Sequence, residues 1–337
     1  MMNDPHEPRT GKVPRVAARK RLSRDELQSQ LKAKRADIER QVQATRAQID
    51  QANERIEART GRNLVLAIGI GLVLGVLLIS SLIFLKWVFV IFAALIVAIT
   101  TFELVQALNK SGRRIDAIPQ VVFGVGIVAS GYLGDGAVRW SALLGSIAVV
   151  VVWRLIAQMA SQTSRSAIDT VADLATGAFV QIYVPFLASF AVVLVRQEGG
   201  QWWVLAFLIL VVSVDTGAYV AGLNFGKHPM APRISPKKTW EGFIGAGIAA
   251  VIAGVLLALF MLQVEWWVGI ILGLLILGTA TMGDLTESLI KRDMGVKDMS
   301  SWLPGHGGIL DRLDSMLPSA PIALAVFLIV NLQTSLG

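Results

Sequence analysis

Residues 283–315 read GDLTESLIKRDMGVKDMSSWLPGHGGILDRLDS, bounded by two long apolar runs, Trp266 to Met282 and Leu317 to Leu332. Asp284, Asp298, Asp311 and Asp314 share this stretch with Lys291, Arg292, Lys297 and Arg312, around a Pro304-Gly-His-Gly-Gly308 turn. Acids, bases and glycines gathered in one place suit the joint holding of a metal ion and a phosphate. The flanking runs set the context, because each is near the roughly 20 residues an α-helix needs to cross a bilayer core. The charged stretch between them is a loop at a membrane surface.

The rest of the chain has the same character. Its 337 residues are 54% apolar and 16% charged, the balance of a polytopic membrane protein. The absence of cysteine excludes a disulfide framework and a thiolate metal site. Nine apolar runs are expected to be transmembrane helices: Leu64 to Leu85, Trp87 to Leu108, Ile118 to Leu133, Trp140 to Ile156, Ala175 to Val195, Trp202 to Leu223, Phe243 to Leu262, and the two that flank 283–315. The expected fold class is all-α. Loops rich in Lys and Arg alternate with loops that are poor in them, and positive loops stay on the cytoplasmic side. The N-terminus is therefore expected inside, the C-terminus outside, and the polar loops 224–241 and 283–315 in the cytoplasm.

Three regions follow from this pattern. Residues 1–62 form a basic arm that holds fifteen of the thirty-one Lys and Arg residues against nine acids. Within it, Ser23 and Glu26 form a capping box, and Leu31, Ile38, Val42, Ile49 and Ile56 recur at heptad-like spacing. The pattern fits a coiled-coil or interfacial helix and fits equally a solvated charged helix. Residues 63–200 hold the first helices, and 201–337 hold the region where chemistry is expected.

Asp215 lies inside the sixth apolar run, where an unpaired carboxylate costs several kcal/mol and needs a cation, a partner or a cavity. An ion pair with a loop lysine is the structural alternative. Ser235-Pro-Lys-Lys-Thr239 places Lys237 and Lys238 beside two hydroxyls just before a helix start, a plausible phosphate cradle. A basic loop also satisfies the positive-inside rule without binding anything. Asp284, Glu287, Ser288 and Lys291 fall on one face of a continuing helix, and Asp311 and Asp314 are three apart before the last run. Carboxylates converging from two helix ends make a hard-oxygen site, right for magnesium and wrong for zinc. The glycines around His306 let a phosphate approach the main chain, although a tight turn with an incidental histidine has the same composition. Asp169 and Asp173 read as a solvated face.

Together these residues resemble the phosphatidate cytidylyltransferases, the CDP-diacylglycerol synthases. Their signature, S-x-x-K-R, four residues, K-D, then P-x-H-G-G-x-x-D-R-x-D, is filled by Ser288, Lys291, Arg292, Lys297, Asp298, Pro304, His306, Gly307, Gly308, Asp311, Arg312 and Asp314. Asp215 to Tyr219 and Ser235 to Gly242 look like further family elements. The resemblance is sharp from about Val211 to Ser315, topological from Leu64 to Trp203, and leaves out the first 60 residues.

It implies a reaction of CTP with phosphatidic acid that gives CDP-diacylglycerol and pyrophosphate. It implies magnesium held by Asp284 and Asp311, then Asp215 and Asp314, with a second monovalent cation such as potassium beside it. Lys237, Lys238, Lys291, Arg292, His306, Gly307 and Gly308 are expected at phosphates, followed by Ser235 and Thr239. The expected partners are CTP, phosphatidic acid and membrane lipid, not nucleic acid, and the resemblance also implies a homodimer. The expected place is the plasma membrane of a bacterial-type cell, with the site facing the cytoplasm. Two other readings remain open: another CTP-using lipid enzyme, such as a polyprenol kinase or CDP-archaeol synthase, and a cation-coupled transporter using Asp215 and Asp284.

Overall fold

A run of apolar residues without water must pair every backbone N–H and C=O within its own segment, and the helix is the local way to do so. The computed structural model describes residues 64–161, 165–296, 299–300 and 308–336. The helix expected within the basic arm lies outside the described residues. The helices are α1 (Leu64–Phe84), α2 (Lys86–Lys110), α3 (Ala117–Leu133), α4 (Gly136–Ala160), α5 (Ala167–Gln181), α6 (Leu187–Arg196), α7 (Gly200–Phe225), α8 (Trp240–Leu257), α9 (Trp266–Asp293), the single turn α10 (Leu310–Leu313) and α11 (Met316–Leu336). Among the described residues, seven helical segments are long and apolar enough to cross a membrane; Gly75–Phe84 and Ala117–Leu133 are shorter apolar pieces. The protein is an all-α polytopic membrane protein, and its helices lie where the apolar runs do.

Local chemistry fixes three of the helix starts among the described residues. Asp135 accepts the Val138 N–H at 2.9 Å ahead of α4, Ser166 accepts the Asp169 N–H at 3.1 Å ahead of α5, and Thr239 accepts the Gly242 N–H at 3.2 Å ahead of α8. Between α5 and α6 the chain widens into a π turn over Ile182–Phe186. Pro185 lies inside this turn and has no N–H to give to the α ladder.

In unit 62–337, α7, α8 and α9 pack on one another, α11 lies against α6, α7 and α9, and α2 to α6 pack as a second group, with α11 against α6 between them. The main buried cluster draws on both groups, with Leu104, Val184, Leu210, Leu272, Leu310 and Phe327 among its members. Outward, Phe84, Leu133, Met159, Leu223 and Phe260 are each more than two-thirds exposed. Large apolar side chains left bare on so many helices are what a lipid-facing surface requires.

Several polar groups at depth are paired across helices. Gln181 donates from Nε2 to the Gln120 carbonyl at 2.9 Å, and Gln120 donates to the Gly177 carbonyl at 3.2 Å, joining α3 to α5. Asp169 is exposed, as its solvated-face reading requires, but Asp173 is only 1% exposed. Its carboxylate accepts from Arg154 Nη2 at 3.0 Å, Arg165 Nη2 at 2.9 Å and the Arg114 backbone N–H at 3.1 Å. Long-range arginines invisible to the i, i+4 pattern turn that surface residue into an internal tie.

Candidate active site

The two polar loops expected to carry chemistry meet at one cavity. The first is an antiparallel ribbon of β1 (Pro229–Ala231) and β2 (Ser235–Thr239), a small departure from an all-helical pattern. Its foot is held by Glu241, which accepts the Lys227 and His228 backbone N–H groups at 3.1 and 3.2 Å. Ser235, Lys237, Lys238 and Thr239 line the cavity from this ribbon. Thr239 is also the cap of α8, so its hydroxyl already serves one backbone N–H.

The second wall is α9. It continues past its apolar part to Asp293, so Asp284, Glu287, Ser288 and Lys291 do share one face, and Ser288 Oγ lies 3.4 Å from Asp284 Oδ1. Gly283 sits buried one residue earlier. A side chain there would strike the Asp314 carbonyl and Pro318, so the absence of one admits the 310–315 segment against α9. Asp311, Arg312, Asp314 and Ser315 line the cavity from that segment, and Asp215 faces it from α7. The cavity measures about 450 Å³, the size of a pocket for a small organic ligand.

Among the described residues, five carboxylates and four cationic groups line it: Asp215, Asp284, Glu287, Asp311 and Asp314 with Lys237, Lys238, Lys291 and Arg312. The pairing among them is specific. Lys238 Nζ is 2.6 Å from Asp284, and Lys291 Nζ is 2.6 Å from Glu287 and 3.1 Å from Asp311. Asp215, open to the cavity, has no ion pair with a loop lysine among the described residues; Lys238 goes to Asp284 instead. Carboxylate oxygens of Asp284, Glu287 and Asp314 lie within 4.8 Å of one another. Glu287 is 1% exposed, and among the described residues its Oε1 has no hydrogen-bond partner. Both oxygens of Asp311 are engaged, one by Lys291, the other by the Gly308 N–H at 2.8 Å and the Met299 N–H at 3.3 Å.

Other expected residues stand elsewhere. Arg292 donates from Nε to the Ile234 carbonyl at 3.2 Å, bracing the ribbon turn against α9. Gly308 touches the site through its backbone. His306 and Gly307 lie outside the described residues, as do Lys297, Asp298 and Pro304.

Two acids escaped the sequence reading. Glu287 read only as a member of a helix face, although its position between Asp284 and Lys291 already aimed it at the same place. Glu103, on α2, is 2% exposed and accepts the Ile309 and Leu310 N–H groups at 2.9 and 3.0 Å. The signal that marks Asp215, a carboxylate within an apolar run, marks Glu103 as well.

The family model described as "Cytidylyltransferase family" matches residues 65–330. A phosphatidate cytidylyltransferase of Mycobacterium bovis is 39% identical over 274 residues, covering 80% of this chain and 90% of that one. One from Mycobacterium leprae is 39% identical over 275 residues, covering 79% and 88%. One from Staphylococcus saprophyticus is 34% identical over 220 residues, covering 64% and 82%.

Proposed function

The chain belongs to the cytidylyltransferase family, and from that premise and the cavity's chemistry we infer that it joins CTP to phosphatidic acid, giving CDP-diacylglycerol and pyrophosphate. An oxygen of the lipid phosphate forms the new bond to the α-phosphorus of CTP. The bond from that phosphorus to the bridging oxygen breaks, and its electron pair leaves with pyrophosphate. A phosphate monoester is already anionic at neutral pH, so no protein nucleophile is needed. What the protein supplies is position and field.

The observation that carries this reading is the clustering of Asp284, Glu287 and Asp314 in one cavity with Lys237, Lys238, Lys291 and Arg312. Two polyanionic reactants repel each other, and these cations offset that repulsion while orienting the phosphates. Lys291 keeps Glu287 and Asp311 apart in charge and fixed in place. The three clustered carboxylates are hard-oxygen donors, and the bare, buried Glu287 Oε1 fits a magnesium ligand. When bound there, magnesium would draw charge from the phosphate oxygens and the leaving pyrophosphate. Asp311, with both oxygens engaged, organises Lys291 and the 308–314 turn in this reading.

The basic loops on either side of the ribbon and α9 support a cytoplasmic opening, through which CTP arrives. The lipid substrate reaches the same cavity sideways, its acyl chains remaining among the exposed apolar side chains of α7 and α8.

The test is turnover of CTP and phosphatidic acid by detergent-purified protein, with and without magnesium, following both pyrophosphate and liponucleotide. Magnesium-dependent formation of both, lost in Asp284→Asn, is the expected result. Pyrophosphate without liponucleotide would show that the lipid acceptor is a different one.

A further inference from the structure

We propose that Glu103 is a positioning residue for this reaction, holding from α2 the backbone of the turn that carries Asp311 and Asp314. The inference rests on the reading of the cavity as the transferase site. Glu103 lies in Thr100-Thr-Phe-Glu103, in the second apolar run, far in sequence from every residue that lines the cavity. Its carboxylate is buried at 2% exposure, and no lysine, arginine or histidine is paired with it among the described residues. What it meets instead is main chain. One oxygen accepts from the Ile309 N–H at 2.9 Å and the Leu310 N–H at 3.0 Å, and the other accepts from the Ser300 hydroxyl.

These donors are the ones a turn leaves without internal partners where it enters a helix. A carboxylate that accepts several of them is a strong, charge-assisted anchor. Gly308 closes the contact from the other side, because a β-carbon there would overlap the Glu103 carboxylate. Gly308 in turn gives its own N–H to Asp311. The chain of contacts thus runs from Glu103 through the 308–310 backbone to Asp311, and from Asp311 to Lys291 and Glu287. Among the described residues, the hydrogen bonds of Glu103 go to Ser300, Ile309 and Leu310 and not to the groups that line the cavity. It sets where they stand, and a displacement of about 1 Å at such a site lowers turnover by about 100-fold.

The full-length protein is purified in detergent as wild type, Glu103→Gln, Gly308→Ala and the double variant. Glutamine keeps the shape of Glu103 but removes its charge and replaces one of its two acceptor oxygens with an NH2 group, which weakens the charge-assisted anchor. Alanine at 308 drives a methyl group onto the carboxylate from the opposite side, so it carries the same test should Glu103→Gln fail to accumulate. Two quantities are read: hydrogen exchange of the 308–316 amides, and kcat and KM for CTP.

The expected result is exchange at 308–316 at least about ten-fold faster in both single variants, with kcat reduced at least about ten-fold and KM moved far less. The double variant is expected to be no worse than the worse single, because both act on one contact. A Glu103→Gln protein with wild-type kcat overturns the proposal. So does unchanged exchange at 308–316, or losses that multiply in the double variant as two unrelated packing defects would. A wild type that exchanges slowly at 308–316 but makes no liponucleotide defeats the reading of the reaction, and the exchange comparison still decides whether Glu103 holds the turn.

Discussion

Lys291 stands between Glu287 and Asp311 with its ammonium within 3.1 Å of both. Replacing it by methionine leaves two carboxylates facing each other with no cation between them. Breaking a buried pair in this way costs about 3–5 kcal/mol, so Lys291→Met is expected to lower the melting temperature in detergent as well as abolish turnover. At Asp284 the outcome differs, because that carboxylate is half-buried beside Lys238. Asp284→Asn is expected to insert and melt like wild type while losing at least about 100-fold in turnover, measured as liponucleotide formed. Chelation of divalent cations should give the same loss reversibly, with magnesium restoring activity and zinc failing to do so. Asp284, Asp311 and Asp314 were legible in the sequence because they sit in one short, dense stretch. Glu287 was less so, since the sequence shows a helix face but not that the face is buried. Glu103 carries the same local mark as Asp215, a carboxylate in an apolar run, but its partners are 206 and 207 residues away, and no local pattern reports a contact of that range.

The helices themselves were the easiest part to read, because the bilayer leaves the backbone so few choices. What the apolar runs understate is how far several helices extend beyond them. Trp266 to Met282 is the apolar part of a helix that reaches Asp293, and those extra turns carry Glu287 and Lys291. The ribbon at 229–239 lies in what the sequence shows as a polar loop; Pro229 and Pro236 speak against a strand, and only pairing across a tight hairpin overrides them. Asp173 shows the converse error, a charge on an apparently solvated helix start that is in fact buried. It fastens α5 to α4 and to the turn before α3 through Arg154, Arg165 and the Arg114 N–H. Asp173→Asn is therefore expected to destabilise the protein by about 3–5 kcal/mol, while the molecules that remain folded keep the wild-type kcat. Thermal unfolding alongside active-site-normalised turnover separates the two effects.

At the scale of the whole molecule, every described residue of the site belongs to the unit 62–337. A chain beginning at residue 62 is expected to retain CTP- and phosphatidic-acid-dependent turnover per folded molecule, assayed beside the full chain. Within that unit the family match runs from residue 65 to residue 330, and the Glu103 contact shows why the early helices belong to the match as much as the late ones. That contact also has a meaning in time. A ribosome adds about 5–20 residues per second, so α2 is made about 10–40 seconds before the backbone of residues 309 and 310, 206 and 207 positions later. Throughout that interval a carboxylate destined for burial waits at the bilayer without the N–H donors it will accept from, and α2 must be inserted with that bond unfinished.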